Sequence, residues 1–151
     1  MPSKEPVVLF RRAPVRPGRR ALEQFACRLR NLVAEGREFT CLITTNGELR
    51  RLNREFLGRD YATDVLSFPG NGPGGAGASL GEIAISAQKA AQQARRFGHS
   101  VEDEIRILML HGVLHLTGMD HERDAGRMAR AEAVWRQKLG LPAGLIERAR
   151  A

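Results

Sequence analysis

The chain reads as an α+β protein (mixed α/β): one domain, residues 1–151, with a small mixed four-stranded sheet packed against helices. Three observations predict this. Four short runs carry strand patterning. Five longer runs carry helical periodicity, and the two kinds are interspersed along the chain. A length of 151 residues with 42% hydrophobic content supports one real core and leaves too little chain for two.

The first strand is "VVLFRR" at 7–12. A helix follows over 17–36, with Leu22, Phe25, Ala26, Leu29, Leu32 and Val33 on one face and Gly36 as its stop. The β-branched, alternating "EFTCLITT" at 38–45 is the second strand. Residues 47–58 form a short helix with Leu49, Leu52 and Phe56 inward, arginines outward and Gly58 at its end. "VLSFP" at 65–69 is a third strand, and Pro69 stops it or confines it to an edge. The stretch 70–79 has five glycines in ten residues, but neither the GKS or GKT ending of a phosphate loop nor a GxGxxG spacing. It reads as a flexible connection to the fourth strand at 80–86.

Ser86 is placed to cap a helix over 87–98, and Ser100 to cap another over 100–118. Glu102, Asp103 and Glu104 fill the first turn of the latter, where negative charge suits the helix dipole. From Ile105 to Leu116 nearly everything except the histidines is apolar on all sides, which marks a buried helix. A last helix over 122–140 turns Met128, Val134 and Trp135 inward.

No apolar run approaches the length of a membrane span, and the N-terminus has no signal-type apolar stretch, so a cytoplasmic protein is expected. Cys27 and Cys41 are too few for a disulfide framework and read as small buried hydrophobes. Residues 1–30 hold eight basic and two acidic groups, and residues 122–151 hold seven and four. The middle, 31–121, holds nine and eleven. Two basic ends around a slightly acidic centre favour a polyanionic partner, and nucleic-acid phosphate is the commonest one in the cytoplasm. An aromatic content of 5% offers few stacking platforms, so reading of single-stranded base sequence is not expected.

Three of the four histidines fall within "HGVLHLTGMDH", residues 111–121. His111 and His115, four apart on a helix, share one face. Two buried imidazoles without partners would cost about 1–3 kcal/mol each. Gly118, just past the last turn, can take the left-handed conformation and bring His121 back to face them. The spacing is that of the metzincin peptidases' HExxHxxGxxH, which points to a metal site and a zincin-like arrangement. Zinc suits three imidazoles with a fourth position open, although nickel, copper or iron would accept the same nitrogens. Asp120 reads as a turn or supporting residue. The peptidases place a glutamate directly after the first histidine as general base. Here position 112 is glycine, which disfavours peptide hydrolysis by that route.

The histidine stretch resembles the HGxLHLxGxDH signature of the YbeY family of bacterial rRNA maturation endoribonucleases. "TDVLSFP" (63–69), "GEIAIS" (81–86) and "GHSVEDE" (98–104) are similar to further segments of that family, in the same order. The resemblance implies a cytoplasmic metalloprotein with one zinc ion per chain on His111, His115 and His121. It implies rRNA and the small ribosomal subunit as partners, in maturation and quality control. The family usually carries an arginine where this chain has Leu57, and proline where it has Ala62. Arg59, or Arg54, has a long enough guanidinium side chain to reach the same phosphate. Arg59 therefore reads either as a catalytic arginine or as a solvated loop charge.

The expected function is a metal-dependent, single-strand-preferring endoribonuclease. The alternatives are a non-catalytic, metal-stabilised ribosome-assembly factor and a zinc hydrolase of a peptide or nucleotide. His99, next to the cap Ser100, reads as a loop residue or a proton carrier.

Overall fold

The structure, a computed structural model, describes residues 7–13, 18–70, 79–120 and 123–149. Its elements in order are β1 (Val7–Phe10), α1 (Arg19–Leu32), β2 (Phe39–Thr44), α2 (Asn46–Leu57), β3 (Val65–Pro69), β4 (Gly81–Ser86), α3 (Ala87–Phe97), α4 (Val101–Leu116), α5 (Arg127–Leu139) and α6 (Leu145–Ala149). The sheet order is β1-β2-β4-β3, with β1, β2 and β4 parallel and β3 antiparallel to β4. This is the mixed four-stranded sheet that the sequence predicts. Pro69 ends β3 on the sheet edge, where its missing N–H costs no ladder bond.

Strand alternation divides the sheet into two faces. Phe39, Cys41 and Ile43 of β2 and Ile83 and Ile85 of β4 enter the main core with α1 and α4. Leu66 and Ala84 point the other way, into a smaller cluster with Leu49 of α2. Helices α2 and α4 therefore lie on opposite faces. Ser67 Oγ donates to the carbonyl of Gly112 at 3.2 Å, and a Cβ on Gly81 would meet Leu116. Because Gly81 pairs with Pro69, α4 runs in the same direction as β3 and ends level with that end of the sheet.

Several boundaries differ from the sequence reading for local reasons. Strand β1 stops at Phe10, and Arg12 has a left-handed φ of 53°. Helix α1 ends at Leu32, after which Glu35 and Gly36 take φ of 53° and 85° and turn the chain. Helix α5 begins at Arg127 because Ala125 and Gly126 are both left-handed. Asp124 holds that turn, accepting from the N–H groups of Gly126 and Met128. Helix α6 has no counterpart in the sequence reading, since five residues are too few to show periodicity. Residues 71–78 of the glycine-rich stretch lie outside the described residues.

Some inward assignments are corrected. Phe56 is 64% and Val134 49% exposed, and Leu32 is exposed as well. In α5 the inward stripe is Met128, Glu132 and Leu139, with Trp135 partly buried against the core. Val134 lies off that stripe because six residues along a helix is not a whole number of turns. Cys41 is buried as expected, and burial pushes its thiol up to about 12. Cys27 is only half-buried, and its sulfur accepts from the Arg30 guanidinium at 3.3 Å.

Candidate metal centre

Helix α4 carries the first two histidines, and its ends are built as the sequence suggests. Ser100 Oγ accepts from Asp103 N at 3.0 Å at the start. At the end, Gly118 takes φ 102° and its N–H returns to His115 O at 2.9 Å. The N–H of Met119 follows, donating to Leu114 O at 3.2 Å. This closure folds the chain back across the last turn, as a left-handed glycine permits.

The structure brings His111 and His115 together: their ring centroids are 4.7 Å apart with an interplanar angle of 77°. His111 is buried at 6% exposure, and His115, one turn further along α4, is half-buried. Each Nδ1 faces an oxygen acceptor. His111 Nδ1 is 2.8 Å from Glu132 Oε2, and His115 Nδ1 is 2.9 Å from the carbonyl of Met119. A carbonyl can only accept, so His115 carries its hydrogen on Nδ1; the carboxylate asks the same of His111. The basic nitrogen on both rings is then Nε2. Metal-binding histidines are oriented in this way, with the second nitrogen donating to a carboxylate or carbonyl.

The donor set fits a borderline metal such as zinc. His121 lies outside the described residues. Among the described residues, no three His, Cys, Asp or Glu side chains gather as a metal cage, so the cluster shown is the pair. Asp120 sits in the turn beyond, where its carbonyl accepts from Arg123 N at 3.0 Å. An open cavity of about 430 Å³ lies against this turn, lined in part by Leu114, Thr117, Met119 and Trp135.

Gly112 faces the sheet. A Cβ there would lie 3.0 Å from two carbons of Ile83. Even a glutamate at this position would enter the core instead of reaching the histidine face, so a zincin-type base has no room here.

Glu132 is the residue that the sequence reading missed. It is 1% exposed, and its two oxygens are divided between His111 Nδ1 and Ile146 N, the latter at 2.7 Å. The signal was present: Met128, Glu132, Trp135 and Leu139 have helical spacing, which places an acid on the inward stripe.

Two other candidates stand apart from the pair. His99 is half-buried, with Nε2 2.7 Å from Glu104 Oε1, and the same carboxylate takes the Arg148 guanidinium at 2.7 Å. Glu104 is seven residues from His111, about 10 Å along the helix axis. His99 is therefore a structural tie rather than a proton carrier at the pair. Arg59 is exposed in the loop after α2, with its N–H donating to Asn53 O at 3.2 Å. That loop is tied to α2 by Arg50–Asp60 at 2.8 Å and by Asn53 Nδ2 donating to Tyr61 O at 3.0 Å. Arg54 leans towards Asp60 at 3.9 Å, whereas no ion pair engages Arg59 among the described residues.

A family model for Endoribonuclease YbeY matches residues 19–140 of this chain. The chain belongs to the YbeY family. A YbeY protein from Solibacter usitatus is 62% identical over 141 residues, covering 93% of this chain and 92% of its own. A YbeY protein from Koribacter versatilis is 49% identical over 128 residues, covering 85% and 82%. Both are named Endoribonuclease YbeY. The solution structure of TM1509 from Thermotoga maritima is similar with a TM-score of 0.57 and 26% identity, over 91% of this chain and 93% of its own. The YbeY match takes in α1 through α5, and thus His111, His115 and Glu132 together. Among the described residues no helix is long and apolar enough to cross a membrane.

Proposed function

We propose that the chain is a zinc-dependent, single-strand-preferring endoribonuclease of small-subunit rRNA maturation and ribosome quality control, acting in the cytoplasm. The observation that carries this is the His111–His115 pair with both Nδ1 atoms engaged, in a chain 62% identical to a protein named Endoribonuclease YbeY. His111, His115 and His121 would hold one ion per chain. A bound zinc supplies Lewis acidity toward a phosphoryl oxygen and lowers the pKa of water.

The chain's own residues supply the rest. Glu132 and the Met119 carbonyl orient the two rings. The basic ends attract the RNA backbone by counterion release. Arg59, an exposed guanidinium with no ion pair among the described residues, would neutralise charge that develops on the phosphate. The partners are rRNA and the small ribosomal subunit.

A second reading, a non-catalytic assembly factor, is favoured by Leu57. It stands exposed where the family usually has arginine. The test incubates purified protein with single-stranded and structured rRNA fragments, with and without a chelator and beside His115→Ala. The enzyme reading expects cleavage of single strands that is lost with the chelator and in the variant. Binding without cleavage supports the assembly factor.

A further inference from the structure

The buried carboxylate of Glu132 is held from two directions. Ile146 N, in the first turn of α6, donates to Oε1 at 2.7 Å, and His111 Nδ1 is 2.8 Å from Oε2. Gly144, just before α6, leaves the carboxylate its place, since a Cβ there would stand 2.8 Å from Oε1. Helix α6 is itself pinned: Arg148 donates to both oxygens of the buried Glu104 and, at 3.1 Å, to Gln93 Oε1. The guanidinium also lies 4.3 Å from the Phe97 ring centre. A chain of contacts thus runs from α3 and α4 through α6 to Glu132 and on to His111.

We propose that Glu132 is a positioning residue that fixes the tautomer and angle of His111, and that α6 holds it in register to do so. The metal consequence rests on reading His111 as a ligand. With Oε1 occupied by a backbone N–H, Oε2 is turned to His111 and requires an N–H there. The hydrogen is then confined to Nδ1, and Nε2 is the nitrogen that can bind an ion. The C-terminal helix therefore sets the metal-binding form of a histidine 35 residues earlier in the chain.

Glu132→Gln tests this with little change of shape. The amide oxygen keeps the Ile146 N–H, because an amide NH2 cannot accept it. The NH2 group then faces His111, whose Nδ1 must become the acceptor, and the hydrogen moves to Nε2. In the metal-free protein, long-range 1H–15N spectra of the imidazoles should show His111 switching from the Nδ1–H to the Nε2–H form. Zinc affinity, measured by competition with a chromophoric chelator, should fall about 10- to 100-fold, the usual range for such supporting groups. Glu147→Gln removes the same charge from an exposed position on α6 and should leave both readings at the parental value.

Gly144→Ala is the second variant, and it decides the matter if Glu132→Gln fails to fold. Its methyl group would stand 2.8 Å from Oε1 and displaces the carboxylate from its seat between Ile146 N and His111 without altering charge, so zinc affinity should fall while the variant remains folded. Parental tautomer and parental affinity in the folded variants would overturn the proposal. A parent chain that takes up no zinc would sink the metal reading instead, and the tautomer comparison would still decide the role of Glu132.

Discussion

A β-carbon on Gly112 would stand 3.0 Å from both Cδ1 and Cγ2 of Ile83, so α4 rests on the sheet at glycine contact distance. Ile83 is fully buried and β-branched, and has little room to give way. Alanine gains about 1 kcal/mol of helix propensity over glycine. Overpacking a filled core costs about 1–3 kcal/mol. The second effect prevails, and Gly112→Ala should lower the melting temperature by roughly 2–4 °C for about 1 kcal/mol net. An unchanged or higher melting temperature would show that Ile83 moves aside.

The sequence made the sheet and the histidine helix legible because each has a strong local signature. The helix caps at Ser86 and Ser100 and the turn at Gly118 stand where the residues suggest. Less visible was anything that depends on a partner distant in sequence. Glu132 is one acid among several in the sequence of α5, and its burial depends on the packing of α5 against α4. Phe56 read as core from its spacing, yet it meets Phe68 edge-on and stays exposed, because α2 covers only part of its sheet face. Of the three predicted ligands, His111 and His115 are seen together, and His121 lies outside the described residues.

Glu48 predicts a pH dependence. Thr45 caps α2 by accepting from Glu48 N, and the Glu48 carboxylate takes Arg51 at 2.6 Å and Arg11 at 3.3 Å. The Arg51 hydrogen bond, more than burial opposes it, holds this carboxyl below its ordinary value of 4.5. A folded-state pKa below the unfolded one stabilises the fold above the ordinary value, and that stabilisation is lost as pH falls through the lowered one. Glu48→Gln should therefore be less stable than the parent in denaturant titrations near neutral pH, and the difference should shrink below about pH 4. A gap that is constant across pH would remove the charge from the explanation.

The basic N-terminal region predicts salt-sensitive RNA binding. Arg19 donates to the Val8 carbonyl at 3.2 Å and Arg11 pairs with Glu48, so reversing either would disturb the fold. Arg12 and Arg20 are exposed without such ties among the described residues and are the cleaner probes. The variant carrying Arg12→Glu and Arg20→Glu should flatten log affinity against log salt by about 0.7 for each single-strand phosphate that is no longer neutralised. An unchanged slope would mean that this end faces away from RNA.

Arg59 carries the prediction about turnover. Removing a group that stabilises developing phosphate charge typically lowers turnover by about two to three orders of magnitude. Arg59→Ala should show a loss of that size with zinc content and melting temperature near parental values, and Leu57→Arg should raise activity. Cleavage at the parental rate in Arg59→Ala would remove this role and turn attention to Arg54.

The claim beneath all of these is that the histidines of residues 111–121 hold one metal ion. Elemental analysis of protein purified without added metal, for the parent, His115→Ala and the triple alanine variant of His111, His115 and His121, tests it most directly. The expected result is about one zinc per parent chain, little in His115→Ala and none in the triple variant, in keeping with an open three-histidine site. A full zinc complement in the triple variant would contradict the account.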